Sequence, residues 1–96
     1  VELNPERFEV KVRGKKVELT PKEFELLHLL MLSPGKVLTR DLLLTKGWDF
    51  AYDGGSRTVD VHIRRLREKI EEDPAQPQLI ETVYGVGYRF REEGKD

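Results

Sequence analysis

Along residues 7–19, RFEVKVRGKKVEL, apolar and polar positions alternate. Phe8, Val10 and Val12 fall on one side, Glu9, Lys11 and Arg13 on the other, and Val17 and Leu19 resume the pattern after Gly14 and Lys15. A period of two means one buried and one wet face, so the segment predicts a hairpin. Val1 to Leu3, closed by Asn4-Pro5, adds a short edge strand and extends the N-terminal sheet over residues 1–19. The period then changes. Thr20-Pro21-Lys22-Glu23 is a capping box with proline at the first helical position, and Pro34-Gly35 prevents continuation, which predicts a helix over 21–33. Its interior, with Phe24, Leu26, Leu27, Leu29, Leu30, Met31 and Leu32, has almost no polar side, so it should be covered on several sides and form the centre of the core. His28 is read there as a structural residue.

Thr39 can cap a second helix over 40–46, closed by Gly47, and residues 48–56, WDFAYDGGS, form a loop. A third helix over 57–72 is ended by Asp73-Pro74 and Pro77. Residues 79–91 read as two strands around a glycine-rich turn at Gly85 to Gly87, with Ile80 and Phe90 inward. The order of strands, three helices and a hairpin makes an α+β domain.

The third helix, RTVDVHIRRLREKI over 57–70, carries the chemistry. At about 100° per residue, Val59, Ile63, Leu66 and Ile70 form one apolar stripe, and Thr58, Val61 and Arg65 lie on the opposite side. His62 and Lys69 flank that face at one edge, Arg57 and Arg64 at the other. Asp60 lies one turn from Arg64, where it is expected to hold that guanidinium.

A solvated amphipathic helix is the plain alternative, and three details argue against it. Arg57 stands in the first turn, where the helix dipole disfavours a cation, while Glu71, Glu72 and Asp73 end the helix where it disfavours anions, so an external anion near Arg57 becomes plausible. Four arginines outnumber one lysine in this segment, and the guanidinium fork suits bidentate contact with phosphate or with guanine O6 and N7. Val61 gains nothing from water, whereas a major groove offers a thymine methyl to it and to Thr58. A coiled-coil seam through Val59, Ile63, Leu66 and Ile70 would span only two heptads before Pro74, short of the three or four such a reading needs. In the terminal hairpin, Tyr84 approaches the turn and Tyr88 follows it, and the hydroxyls of Thr82 and Tyr88 can donate to backbone phosphates.

Length and charge bound the picture. Ninety-six residues make one small domain, and the absence of cysteine excludes disulfides and thiolate metal sites. The longest nearly apolar run, LLHLLMLS, falls far short of the roughly 20 residues needed to cross a bilayer, and no basic and apolar leader opens the chain. A soluble, cytoplasmic domain without membrane contact is expected. The total formal charge is −1, yet residues 57–70 sum to +3, leaving −4 elsewhere. Local sign matters more than the total for choice of partner.

TPKEFELL, the tryptophan at 48, RTVDVHIRRLREKI and TVYGVGYRF, in this order and spacing, resemble the C-terminal effector domain of OmpR/PhoB-type two-component response regulators over essentially the whole chain. The resemblance implies a winged helix-turn-helix with an N-terminal antiparallel sheet, a three-helix bundle and a C-terminal β-hairpin wing. It places the third helix in the major groove of promoter DNA, with Thr58, Val61, Arg65 and His62 at base edges. Arg57, Arg64 and Arg67 would bind phosphates, helped by Trp48, Thr82 and Tyr88. Tyr84, Gly85, Val86 and Gly87 would form the wing tip, and the loop Asp49, Phe50, Ala51, Tyr52, Asp53, Gly54, Gly55 would face RNA polymerase. The family often has arginine where Tyr84 stands, so stacking on a sugar or a hydroxyl contact is expected there instead. Gly47 and Asp49 also depart from the usual valine and glycine around Trp48, which could shorten the second helix. Relatives carry a receiver domain phosphorylated through a histidine kinase and bind direct repeats in tandem. With no room for a receiver, this chain is expected to be an isolated effector domain and a monomer.

Catalysis is not expected. Two histidines stand far apart, and Gly85-Val86-Gly87 is too short for a dinucleotide fingerprint and lies in a hairpin, so no cofactor or metal is implied. A protein-binding winged helix is the main rival, and it predicts weak, salt-driven attraction to all duplexes alike. RNA ranks below both, because the major groove of an A-form helix is too narrow for an α-helix.

Overall fold

The alternating segment forms strand β2, Glu9–Val12, which pairs antiparallel with β1, Glu2–Asn4, and with β3, Lys15–Val17, in the order β1-β2-β3. This computed structural model describes residues 1–47, 55 and 57–92. Val10 and Val12 are buried, as the alternation requires. Phe8 departs from it. Its backbone takes a positive φ of 55°, which puts it outside the strand, and its half-exposed ring stacks on Phe24 with centroids 4.0 Å apart. Arg13 and Gly14 both have positive φ, the backbone that a two-residue hairpin turn demands.

Helix α1, Pro21–Met31, starts with the full capping box: the Thr20 hydroxyl accepts from the Glu23 amide and the Glu23 carboxylate accepts from the Thr20 amide. The helix stops short of Ser33, with Leu32 as its exposed C-cap, because the chain turns through Gly35 to reach the last strand, where the Gly35 amide donates to the Phe90 carbonyl at 2.9 Å. Leu26, Leu27 and Leu30 are fully buried, so α1 is central as its composition predicts. His28 is half-buried with its ring tilted toward Phe24.

A two-residue strand β4, Leu38–Thr39, precedes helix α2, Arg40–Gly47, and was not foreseen. The Thr39 hydroxyl caps α2 by accepting from the Leu42 amide at 3.1 Å. Gly47 is buried inside the last turn, where its carbonyl accepts from the Lys22 ammonium.

Helix α3, Arg57–Ile70, ends two residues before the expected 72. Glu71 turns under the domain instead, and its buried carboxylate accepts from the amides of Gln78, Leu79 and Ile80 at 2.8 to 3.1 Å. These bonds start β5, Ile80–Val83, which pairs antiparallel with β6, Gly87–Phe90. Strand β4 joins the other edge of β6, giving the order β4-β6-β5. Glycine is required at 87, since a Cβ there would overlap the Leu38 carbonyl of β4. The core lies between α1, α3 and the two sheets, built from Phe24, Leu27, Ile63, Leu66, Ile80 and Phe90 among others. Helices α2 and α3 followed by the β5–β6 hairpin define a winged helix-turn-helix.

Candidate nucleic-acid interface

Helix α3 is sharply two-sided. Val59, Ile63, Leu66 and Ile70 are 0% exposed, which anchors the helix and fixes its rotation. On the other side Arg57, Arg64 and Arg65 are exposed and make no hydrogen bond or ion pair among the described residues, and Val61 is 41% exposed between them. Thr58 and His62 are half-buried at the margin. The His62 ring nitrogen Nδ1 lies 2.8 Å from the Thr58 carbonyl, and since a carbonyl only accepts, this nitrogen donates. That bond fixes the ring beside Thr58. The face brings together all four residues expected at base edges.

Asp60 does something other than hold Arg64. Its Oδ2 accepts from Arg40 Nη1 at 2.8 Å and its Oδ1 from the Tyr88 hydroxyl at 2.6 Å. Arg40, at the start of α2, was not singled out from the sequence, because nothing in local spacing connects residue 40 to residue 60. With both carboxylate oxygens engaged, the acid is matched within the fold and Arg64 points outward unheld.

The expected phosphate contacts divide. Arg57 and Arg64 are outward and available. Arg67 is turned inward, with Nε and Nη2 donating to the Ile80 carbonyl at 3.2 and 2.7 Å, Nη2 also to the Thr82 hydroxyl at 2.7 Å, and the guanidinium 5.4 Å from the centre of the Tyr88 ring. Burial holds the Arg67 pKa below the ordinary guanidinium value. Thr82 accepts from Arg67 and keeps its own proton to donate. Tyr88 is 8% exposed and gives its single proton to Asp60, so it has none for a phosphate while that bond stands. Burial first, and the bond to Asp60 second, push the phenol up to about 12.

At the wing tip, Gly85 takes φ 78° and the Val86 amide closes the turn onto the Val83 carbonyl at 2.9 Å. Tyr84 is 90% exposed and Val86 48%, an apolar tip beside the basic helix. Gly87 is buried against β4 and belongs to the sheet more than to the tip. Trp48 and the expected polymerase-facing residues Asp49 to Gly54 lie outside the described residues; Gly55 is exposed, and its carbonyl accepts from the Thr58 amide at 3.2 Å. Among the described residues no helix is long and apolar enough to cross a membrane.

The winged helix with a basic, outward α3 is the architecture of DNA-binding regulators. The family model described as transcriptional regulatory protein, C terminal, matches residues 14–90, and the chain belongs to that family, the effector domains of OmpR/PhoB-type response regulators. A probable transcriptional regulatory protein of Picosynechococcus is 51% identical over 90 residues, covering 94% of this chain and 36% of that protein. Among solved structures, the OmpR/PhoB homologue DrrB of Thermotoga maritima is 41% identical with a TM-score of 0.86, over 94% of this chain and 41% of that one. The Klebsiella pneumoniae RstA DNA-binding domain, solved in complex with the RstA box, is 36% identical with a TM-score of 0.83, over 93% of this chain and 88% of that one. The chain thus spans well under half the length of the first two.

Proposed function

We propose that this domain binds double-stranded promoter DNA in a sequence-dependent way, as the cytoplasmic output module of a bacterial two-component regulator. The observation that carries the reading is the exposed face of α3, where Val61 sits among three arginines that have no partner among the described residues, on a helix locked by its buried stripe. Thr58, Val61, His62 and Arg65 enter the major groove and read base edges. Arg57 and Arg64 hold the flanking phosphates, helped by Trp48 and Thr82. Tyr84 at the wing tip meets the neighbouring backbone or minor groove by stacking or through its hydroxyl. The domain catalyses nothing in this scheme. Its activity is gated by a receiver domain and a cognate histidine kinase, paired copies occupy direct repeats, and the segment from Asp49 to Gly55 is offered to RNA polymerase.

Enrichment of the 96-residue domain on a random duplex library at low and high salt tests the reading. A recurring motif that persists at high salt is expected, and its spacing reports tandem binding. Uniform retention that vanishes with salt would mean simple polyanion attraction and would favour a protein partner.

A further inference from the structure

We propose that the groove between the end of α1 and the outer side of α2 is a docking site for an acidic amphipathic helix of another protein. The DNA reading does not use this surface, and the inference stands apart from it.

The sequence supplies more leucine here than the core can cover. Leu42, Leu43 and Leu44 are consecutive, and at about 100° per residue they sweep about 200° around α2. Leu43 is buried, Leu44 is half-buried and Leu42 is exposed. At the end of α1, Leu29 is half-buried and Leu32, three residues on, is 65% exposed. A lone surface leucine needs no explanation, but these converge. Leu29, Leu32, Leu38, Leu42 and Leu43 line one groove of about 250 Å³.

Charge defines the occupant. Lys36 and Lys46 line the same groove, both are exposed, and neither ammonium has an ion pair or hydrogen bond among the described residues. No carboxylate lines it. Such a site selects leucine-sized side chains that bring their own acids, and a helix presents both together when they are spaced three and four residues apart. A second copy of this chain does not fit the description. Among its described residues, exposed Phe8 is stacked on its own Phe24, Val61 stands among arginines, and Tyr84 and Val86 occupy a tip whose residues 83–87 hold no acid.

The placement keeps the site apart from the recognition helix. Leu42 lies about 160° around α2 from Arg40, whose guanidinium reaches Asp60 of α3. The groove therefore opens away from α3, and an occupant leaves Arg57, Arg64 and Arg65 uncovered.

The test is selection of a phage-displayed library of helical peptides on the 96-residue domain, with leucine fixed at i, i+3 and i+7 and the other positions randomised. Enriched peptides should carry aspartate or glutamate beside the leucines. The strongest, made synthetically, should saturably shift the amide resonances of residues 29–46. In Leu32→Ser/Leu42→Ser, which keeps every cation, its affinity should fall about tenfold or more. Lys36→Glu/Lys46→Glu should weaken it about tenfold and favour a version with lysines in place of the acids. Both variants alter exposed positions, and thermal melts check that each still folds. No enrichment, or enrichment without acidic bias, would overturn the proposal. So would acidic peptides whose shifts centre on Arg57, Arg64 and Arg65 and whose affinity survives the leucine variant, since that is attraction to cations alone. Groove amides that shift with domain concentration in the absence of peptide, and cease to in the leucine variant, would assign the surface to a second copy and overturn the acidic partner.

Discussion

The ammonium of Lys69, in the last turn of α3, lies 2.6 Å from the Glu23 carboxylate in the first turn of α1. The same oxygen accepts from the Thr20 amide at 2.9 Å, so the cap of one helix and its tie to another depend on one atom. Glu23 is 2% exposed while Lys69 can regain water. Replacing Glu23 by alanine should therefore cost about 2 kcal/mol, more than an ordinary cap and less than breaking a fully buried pair. Urea melts at neutral pH measure it.

That carboxyl also gives acid sensitivity a definite sign. Burial would raise its pKa, but the bond from Lys69 and then the Thr20 amide outweigh it and leave Glu23 below the usual 4.5. A group depressed on folding adds stability that is complete above the unfolded value and lost as pH falls through the folded one. Between pH 5 and 3, the unaltered domain should lose more stability than Glu23→Gln. Parallel curves would contradict the assignment.

Glu71 offers a second test of buried acceptors. It satisfies three consecutive amides that lead into β5. Glu71→Ala should cost about 2 to 4 kcal/mol by stranding these donors. Hydrogen exchange should accelerate first at residues 78–80.

Two glycines should respond differently to alanine. At Gly87 the added methyl meets the β4 backbone, which has no room to yield, so a loss of about 3 kcal/mol or more is expected. At Gly14 the space is open and only the positive φ is strained, so about 1 kcal/mol is expected. Thermal melts of the two variants separate the mechanisms.

On DNA, Arg65→Ala should cost about 1 to 3 kcal/mol at one base position and relax the preference there. Arg57→Ala should weaken every duplex alike and reduce the salt slope by about one. Binding measured over a panel of single-base variants at several salt concentrations distinguishes base reading from phosphate holding.

The parts legible in the sequence were those written in local periods. Thr20 and Glu23 announced α1, and the spacing of Val59, Ile63, Leu66 and Ile70 gave the buried side of α3 and hence its outward face. What stayed hidden depends on contacts between distant residues. Two residues are too few for an alternation, so β4 is defined only by its pairing with Tyr88 and Gly87. Asp60 looked like a partner for Arg64 by helical spacing, and only the fold brings Arg40 and Tyr88 nearer. Arg67 and its arginine neighbours are chemically identical in the sequence; the approach of β5 is what sets Arg67 apart.

Because the four residues anchoring α3 are wholly buried and share no position with 58, 61, 62 and 65, the demands of folding and, in the proposed reading, of promoter choice fall on different letters of the same helix. Duplicated copies of such a gene can drift toward new operators without first surviving an unstable intermediate, and a combinatorial library confined to those outward positions should consist mostly of folded proteins.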